Sequence, residues 1–515
     1  MIAMLISQDL FDETLLESQE LFEYSDELAV EETISELQSG RNSFVRLDHL
    51  SLTHPNSSKG KDDREKQKEF VSSLQNQKLA VATSLLTKAS EKDKKSLPSF
   101  ASLVLQHQFL AADSDLLAVF DKDLNDVQGL LDFFSALLPD ILASHPLSRE
   151  IKLQLSPCLK EKWFPLYQEH SSLRIPMIEW ARVCCNACEA NKKVFVQAAI
   201  SFRYDTDKNG LNLLLDSLPK DIAGTDEPSS TDGQTIEKIS KLLTVIGKFQ
   251  ASAEPQPQDG EEPLVSSAHA NVKELHKCGA VHIIHTLAKQ CAGVDCKEDL
   301  LCELLSVLRV MAIDNDIVQT MVAVGILETV DAGLQAKTLS PSLAGATLGL
   351  IRNLCANDEV KTNIRKKTLA SILHAMETHA SHSVVQEHGC GIFAAMSLRQ
   401  PNNAVAIVEA NGIYHILTAM RSFPNKVPLQ RQGCLALRNI ASRLPAESKQ
   451  VLLDAGAENV LKGIAAKHQA SIEEAYAALR DLGVAAVMYK VDETGKATGT
   501  QMFGSVKSNF RAVYD

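Results

Sequence analysis

One spacing governs what this chain can fold into. Gly279, Gly325, Thr368, Gly412 and Gly456 follow one another at 46, 43, 44 and 44 residues, and a second series, Arg309, Arg352, Met396, Arg438 and Arg480, at 43, 44, 42 and 42. Two independent markers with one period identify a helical repeat array, whose units run about 40 to 47 residues. The stretch Gln430 to Ala466 shows the unit. Gly433, Leu437, Ile440 and Ala441 recur at helical spacing, Pro445 opens a short helix that ends near Gly456, and Val460 to Ala466 open the next. A glycine suits the first marker because the residue after a helix cap often enters the left-handed region, which only Gly adopts without strain. Thr368 departs, so that unit is expected to turn differently. No unit of this size buries its apolar face alone, so the units must stack. The fold class expected is all-α, a right-handed superhelical α-solenoid.

The array is expected over residues 174–485. An early unit lies in Trp180 to Ala199, where Asn186 and Cys188 align with Asn353 and Cys355. Surplus residues before the Gly279 unit place an insert near 218–265, and QASAEPQPQDGEE within it reads as a solvated loop. Residues 64–173 are helical but irregular, a divergent capping region broken at Pro98, Pro139 and Pro157. Its expected core positions are Phe70, Leu74, Leu85, Leu103, Leu117, Phe120, Leu130, Phe134 and Leu138. Residues 51–63, rich in Pro, Gly, Ser and charge, read as a flexible linker, and 486–515 as a loose C-terminal tail.

Charge sets the N-terminal 50 residues apart as an acidic helical arm. The first 40 residues hold eleven Asp or Glu and no Lys or Arg, so of the net charge of −13 the rest of the chain carries about −2. A nearly neutral body without basic, aromatic-interleaved runs offers nucleic acid no grip. No apolar run approaches the roughly 18 residues of a membrane span, and the apolar start is too short and too acid-flanked for a secretory signal. Eleven cysteines scattered through helical patterns fit free thiols in a reducing compartment, the cytoplasm or also the nucleus. The nucleotide, zinc-protease and hydrolase motifs are absent, so no enzyme is expected.

Third helices of the form LIRNLCAND (Leu350 to Asp358), LRNIAS (Leu437 to Ser442) and LRDLG (Leu479 to Gly483), in units with a Gly turn, resemble armadillo repeats. The resemblance implies an armadillo-type solenoid that binds proteins or peptides, acts as a scaffold or adaptor without catalysis, and needs no cofactor. In armadillo proteins that bind extended peptides, an Asn on the inner helix of each repeat holds the ligand backbone. That slot reads Asn186, Val310, Asn353, Ser397, Asn439 and Asp481 here, so three positions depart. The Trp partners of nuclear-import adaptors are missing, since the chain has only Trp163 and Trp180.

The candidate partner-binding groove is accordingly Arg309, Arg352, Asn353, Ser397, Arg438, Asn439, Arg480 and Asp481. Stacked helices lie about 8–10 Å apart and an extended peptide advances about 3.3 Å per residue, so one arginine rung meets about every third ligand residue. A guanidinium grips carboxylates or carbonyls in pairs. The plainer reading is that each arginine pairs with an acid of a neighbouring repeat, such as Glu303 or Asp481. The acidic arm is either an intramolecular competitor for the ladder or a cap that packs Phe11 and Phe22 on the first helices. The chain is expected to act as a monomer.

An alternative function is calcium- or metal-responsive regulation. Asp205, Asp207, Asn209, Gly210 and Asp216 fit positions 1, 3, 5, 6 and 12 of a calcium loop, although Asn212 and Asp216 depart from its pattern. The plainer reading is an Asp/Asn/Gly turn between helices. Cys185 and Cys188 lack a completing pair and read as buried thiols. His276, Cys278, His282 and His285, like His374, His379, His382 and His388, have no recognised ligand spacing, and no metal site is expected.

Overall fold

A computed structural model describes residues 8–22, 25–39, 52–92, 100, 103–104, 119, 126–133, 163–186, 188–197, 209–220, 222, 231–248, 267–292, 297–336, 339–467, 471–484, 488–491, 497–501 and 510–512. Its contacts divide into two compact units, one of residues 1–218 and 234–274, the other of residues 219–233 and 275–515.

The second unit is a stack of three-helix repeats. Its helices run α11 (Ala280–Cys291), α12 (Glu298–Met311), α13 (Asn315–Ala323), α14 (Ile326–Leu334), α15 (Pro341–Leu354), α16 (Asp358–Lys367), α17 (Leu369–Thr378), α18 (Ser383–Ser397), α19 (Pro401–Glu409), α20 (Gly412–Ser422), α21 (Val427–Ala441), α22 (Gln450–Asp454), α23 (Ala457–Lys467) and α24 (Ile472–Asp481). The long third helices α12, α15, α18, α21 and α24 pack each on the next. Each buries one face, as Leu348, Ile351 and Leu354 do on α15 and Leu429, Leu437 and Ile440 on α21, which is how stacking gives each unit the core it lacks alone. The repeat array is thus an all-α solenoid.

The glycine markers fall at the turns between first and second helices. Gly279, Gly325 and Gly456 take left-handed φ of 79°, 95° and 85°. At the fourth marker the left-handed residue is Asn411, φ 62°; Gly412 is the first residue of α20, where a Cβ would come 2.6 Å from Ile407 Cγ2. Thr368 turns at φ −111°.

The helix ends explain much of the polar sequence. The last carbonyls of a helix have no partner within it, and here neighbouring side chains supply one. Gln386 donates to Met376 O and His379 O at the end of α17, and Gln430 to Met420 O and Phe423 O after α20. Lys361 donates to Leu398 O past α18, and Lys449 to Asp481 O on α24. Asn403 reaches back to Met396 O in the preceding repeat. A lysine at a helix C-terminus also opposes the helix dipole, which helps to hold Lys361 almost fully buried beside Asp358 at 2.7 Å.

The first unit holds α1 (Gln8–Phe22), α2 (Asp26–Ser39), α3 (Ser58–Gln75), α4 (Leu79–Lys92), α5 (Phe164–Glu169), α6 (Arg174–Cys185), α7 (Glu189–Gln197) and α8 (Gly210–Asp216), with most of α9 (Thr231–Gly247) and α10 (Ala268–Lys277). It repeats the same helix-end devices: Asn191 donates to Cys184 O, Asn271 to Ile246 O and Lys192 to Lys248 O.

Several expectations need correction. The acidic arm is built in: Phe11, Leu15 and Ala29 close a small core between α1 and α2, and Arg64 on α3 grips Asp12 with Nε and Nη2 at 2.6 and 2.5 Å. The segment 51–63 is not a flexible linker over its described residues. Ser57 caps α3 by accepting from Gly60 N, and buried His54 meets Gln19 at 2.7 Å; the Pro, Ser and Gly content belongs to a helix start. The core reading slips by one residue at Leu86 and Val104, which are buried in place of Leu85 and Leu103. Leu117, Phe120, Phe134 and Leu138 lie outside the described residues. In the insert, Ile222 is buried and tied to Gln290 and Lys297, whereas 250–262 lies outside the described residues. The tail holds β1 (Met488–Val491), β2 (Ala497–Gln501) and β3 (Phe510–Ala512) in an antiparallel sheet of order β2-β1-β3. Residues 492–496, between β1 and β2, lie outside the described residues.

Candidate functional site

The last turns of the third helices carry the arginine ladder. Leu308, Ile351, Leu437 and Leu479 face the core, and helical periodicity then turns the next residues, Arg309, Arg352, Arg438 and Arg480, away from it. Arg309 is exposed, and the structure records no ion pair for it among the described residues. Arg352 is half-buried with Nη1 3.7 Å from Glu387 Oε1. Burial lowers its guanidinium pKa; Glu387 opposes the shift and Arg309 adds to it. Arg438 Nε stands 3.7 Å from Asp481 Oδ2, and Arg480 Nε donates to Asp481 Oδ1 at 2.8 Å. The inter-repeat pairing anticipated for the ladder therefore occurs at Arg352 and Arg438, while the pair of Arg480 is with its own neighbour.

The Asn slot does a different job from the one the resemblance implies. Asn353 Nδ2 donates to Arg309 O, and Asn439 Nδ2 to Ala394 O, each at 2.9 Å. Both acceptors lie in the last turn of the preceding third helix, so these amides staple one repeat to the next. One N–H and the carbonyl oxygen of each remain for another partner. Ser397 is fully buried and donates to Phe393 O; it leaves the groove, because a small hydroxyl that bonds back along its own helix needs no solvent.

Sequence reasoning missed the glycines of this face and weighed the histidine beside them, His388, only as a metal ligand. A Cβ on Gly349 would stand 3.0 Å from Arg309 Nη1 and 3.2 Å from His388 Nε2, and one on Gly391 2.7 Å from Arg352 Cδ and Nε. Each arginine stem thus lies across a glycine of the next third helix, 40 and 39 residues on; that offset was the available signal. His388 is 6% exposed and its Nδ1 has no hydrogen-bond partner. Burial, then the charges of Arg309 and Arg352, push its pKa down to about 4.

The other candidate residues do not assemble into a site. Asn209 caps α8, its side chain accepting from Leu211 N and Asn212 N, and a Cβ on Gly210 would meet Phe164 at 2.7 Å; Asp205 and Asp207 lie outside the described residues. Asn209 and Gly210 thus open α8, with the Asn oxygen turned to the backbone. Cys185 and Cys188 are buried, as are Cys355, Cys390 and Cys434, whose thiols burial pushes up to about 12. Among the described residues no group of three His, Cys, Asp or Glu is placed to hold a metal, and no single helix is long and apolar enough to cross a membrane.

No protein-family model and no curated protein sequence matches the chain. Solved structures do. An engineered protein from a structural genomics consortium aligns over 83% of this chain and 97% of its own at 16% identity, with a TM-score of 0.55; at that identity the likeness is one of fold. A designed armadillo repeat protein aligns over 53% of this chain and 99% of its own, at 17% identity and a TM-score of 0.40. Another, designed for modular peptide recognition, covers the same shares at 18% and 0.39.

Proposed function

We propose that this chain is a non-catalytic scaffold or adaptor that binds an extended segment of a partner protein along its third-helix face. The observation that carries the reading is the arginine at one position of four of the five third helices, α18 having buried Met396 there, with Arg309 unpaired among the described residues and with carboxamides at Asn353 and Asn439 that keep an oxygen and one N–H to offer. A repeated donor row at helix spacing matches the repeated carbonyls of an extended peptide. The array joined to acidic N-terminal helices resembles armadillo repeat-containing protein six, and we read the chain as its relative. The free thiols favour a reducing compartment, cytoplasmic or nuclear, and the chain is read as a monomer.

Selection of peptides from a random display library on the full chain tests the proposal. Enriched peptides should lose binding to a variant carrying Arg352→Ala, Arg438→Ala and Asn439→Ala. Equal binding to that variant would place recognition elsewhere and end the groove reading.

A further inference from the structure

The α12–α15–α18 part of this face has a chemistry that a plain arginine ladder does not. Arg309 from α12 and His388 from α18 converge on the bare position of Gly349, with Nη1 and Nε2 at 3.0 and 3.2 Å from where its Cβ would be. Arg352, three residues after Gly349, lays Cδ and Nε 2.7 Å from the matching position of Gly391. Of the two guanidiniums, Arg352 has Glu387 at 3.7 Å, and Arg309 has no recorded carboxylate among the described residues, which leaves its charge unmatched there. Beside Arg309 lies the imidazole of His388, 94% buried, and the nitrogen it turns to the Gly349 position is Nε2, which as an N–H can donate to a ligand.

We infer that Arg309, Arg352 and His388, over the Gly349–Gly391 floor, form a binding site for the carboxylate of an acidic side chain in an extended partner segment. The inference rests on the groove reading and adds the ligand chemistry at this register. A monoanion matches the single excess charge, and the two guanidiniums supply planar paired donors for its oxygens. The imidazole, neutral at physiological pH because burial and both arginines disfavour its cation, donates from Nε2 without adding charge. Glycine is required at Gly349 because a side chain would fill the place where Arg309 and His388 meet, and at Gly391 because it would displace Arg352.

Fluorescence anisotropy on the full chain tests it, with labelled alternating Glu-Gly, Gln-Gly and Lys-Gly peptides at low ionic strength. The Glu peptide should bind at least about tenfold tighter than the Gln peptide, and Arg309→Gln or Arg352→Gln should each weaken it about tenfold, the worth of one charge-assisted hydrogen bond. Gly349→Ala, which favours helix while displacing Arg309 and His388, should weaken it as much with the melting temperature held. Lys366→Gln, an exposed cation on the first helix α16, should leave it unchanged. No binding of the Glu peptide, or binding that ignores Arg309, Arg352 and Gly349, overturns the inference. A loss that is equal in Lys366→Gln would mean general charge attraction and overturns it too. Library peptides that depend on Asn439 and Arg438 but show no acidic preference would leave the groove standing and remove this site alone.

Discussion

Leu354 and Leu437 sit near the ends of α15 and α21, and both are fully buried. Truncating either to Ala should cost about 2–5 kcal/mol in denaturant unfolding, the range for a buried leucine whose cavity does not collapse; a loss under about 0.5 kcal/mol would mean these faces do not pack between repeats. His388 gives a prediction with a sign. Its folded pKa, about 4, lies below the roughly 6.5 of an unfolded imidazole. Between those values the unfolded chain binds the extra proton, so stability falls as pH drops through that window, by on the order of 3 kcal/mol at the bottom. His388→Asn should flatten that part of the stability–pH curve, and an unchanged slope would assign the acid sensitivity to other groups. Residue identity at the ladder was legible in the sequence, because every fourth position of a helix returns to one face. What the arginines touch was not. The offset of about 40 residues between an arginine and the glycine beneath it is a tertiary relation, and so is the use of Asn353 and Asn439 on carbonyls of the preceding helix.

Element boundaries followed from punctuation wherever a side chain acts on its own backbone. Asn357 and Asp314 cap α16 and α13, and the three left-handed glycines end the first helices, all features a sequence displays directly. The same composition misled at 51–63, where Ser, Pro and Gly make the cap of α3. A cap and a linker share their residues and differ only in whether a helix comes next. The glutamines Gln386 and Gln430 gave no local signal at all, since their acceptors lie seven and ten residues back at the end of another helix. Replacing either by Ala removes the side-chain donor of Met376 O or Met420 O, since His379 O and Phe423 O also accept from His382 N and Lys426 N, and should destabilise the chain by about 1–3 kcal/mol. Hydrogen exchange should rise first in α17 for Gln386→Ala and in α20 for Gln430→Ala; a uniform rise along the chain would contradict a local role.

At the level of the whole molecule, periodicity gave the solenoid because a period is a property of sequence alone. The C-terminal sheet escaped it, since three short strands have neither the period nor the apolar alternation of a large sheet. The regulatory alternative can be checked on the intact protein. With Asn209 committed to capping α8, millimolar calcium should leave the melting temperature unmoved, and a rise would revive the calcium-loop reading.

The side-chain staples carry a consequence for anyone who would treat these repeats as building blocks. Each junction is fastened by donors at its own positions: Asn353 reaches back to Arg309 O, whereas Asn439 and Asn403 both reach back to α18. Exchanging two repeats, or duplicating one, would carry a carbonyl to a place where its donor is no longer opposite. The array is periodic in outline and individual at its seams, so its units are not interchangeable cassettes, and a chimera should be cut in the middle of α18, which leaves Asn353 with Arg309 O, Asn403 with Met396 O and Asn439 with Ala394 O.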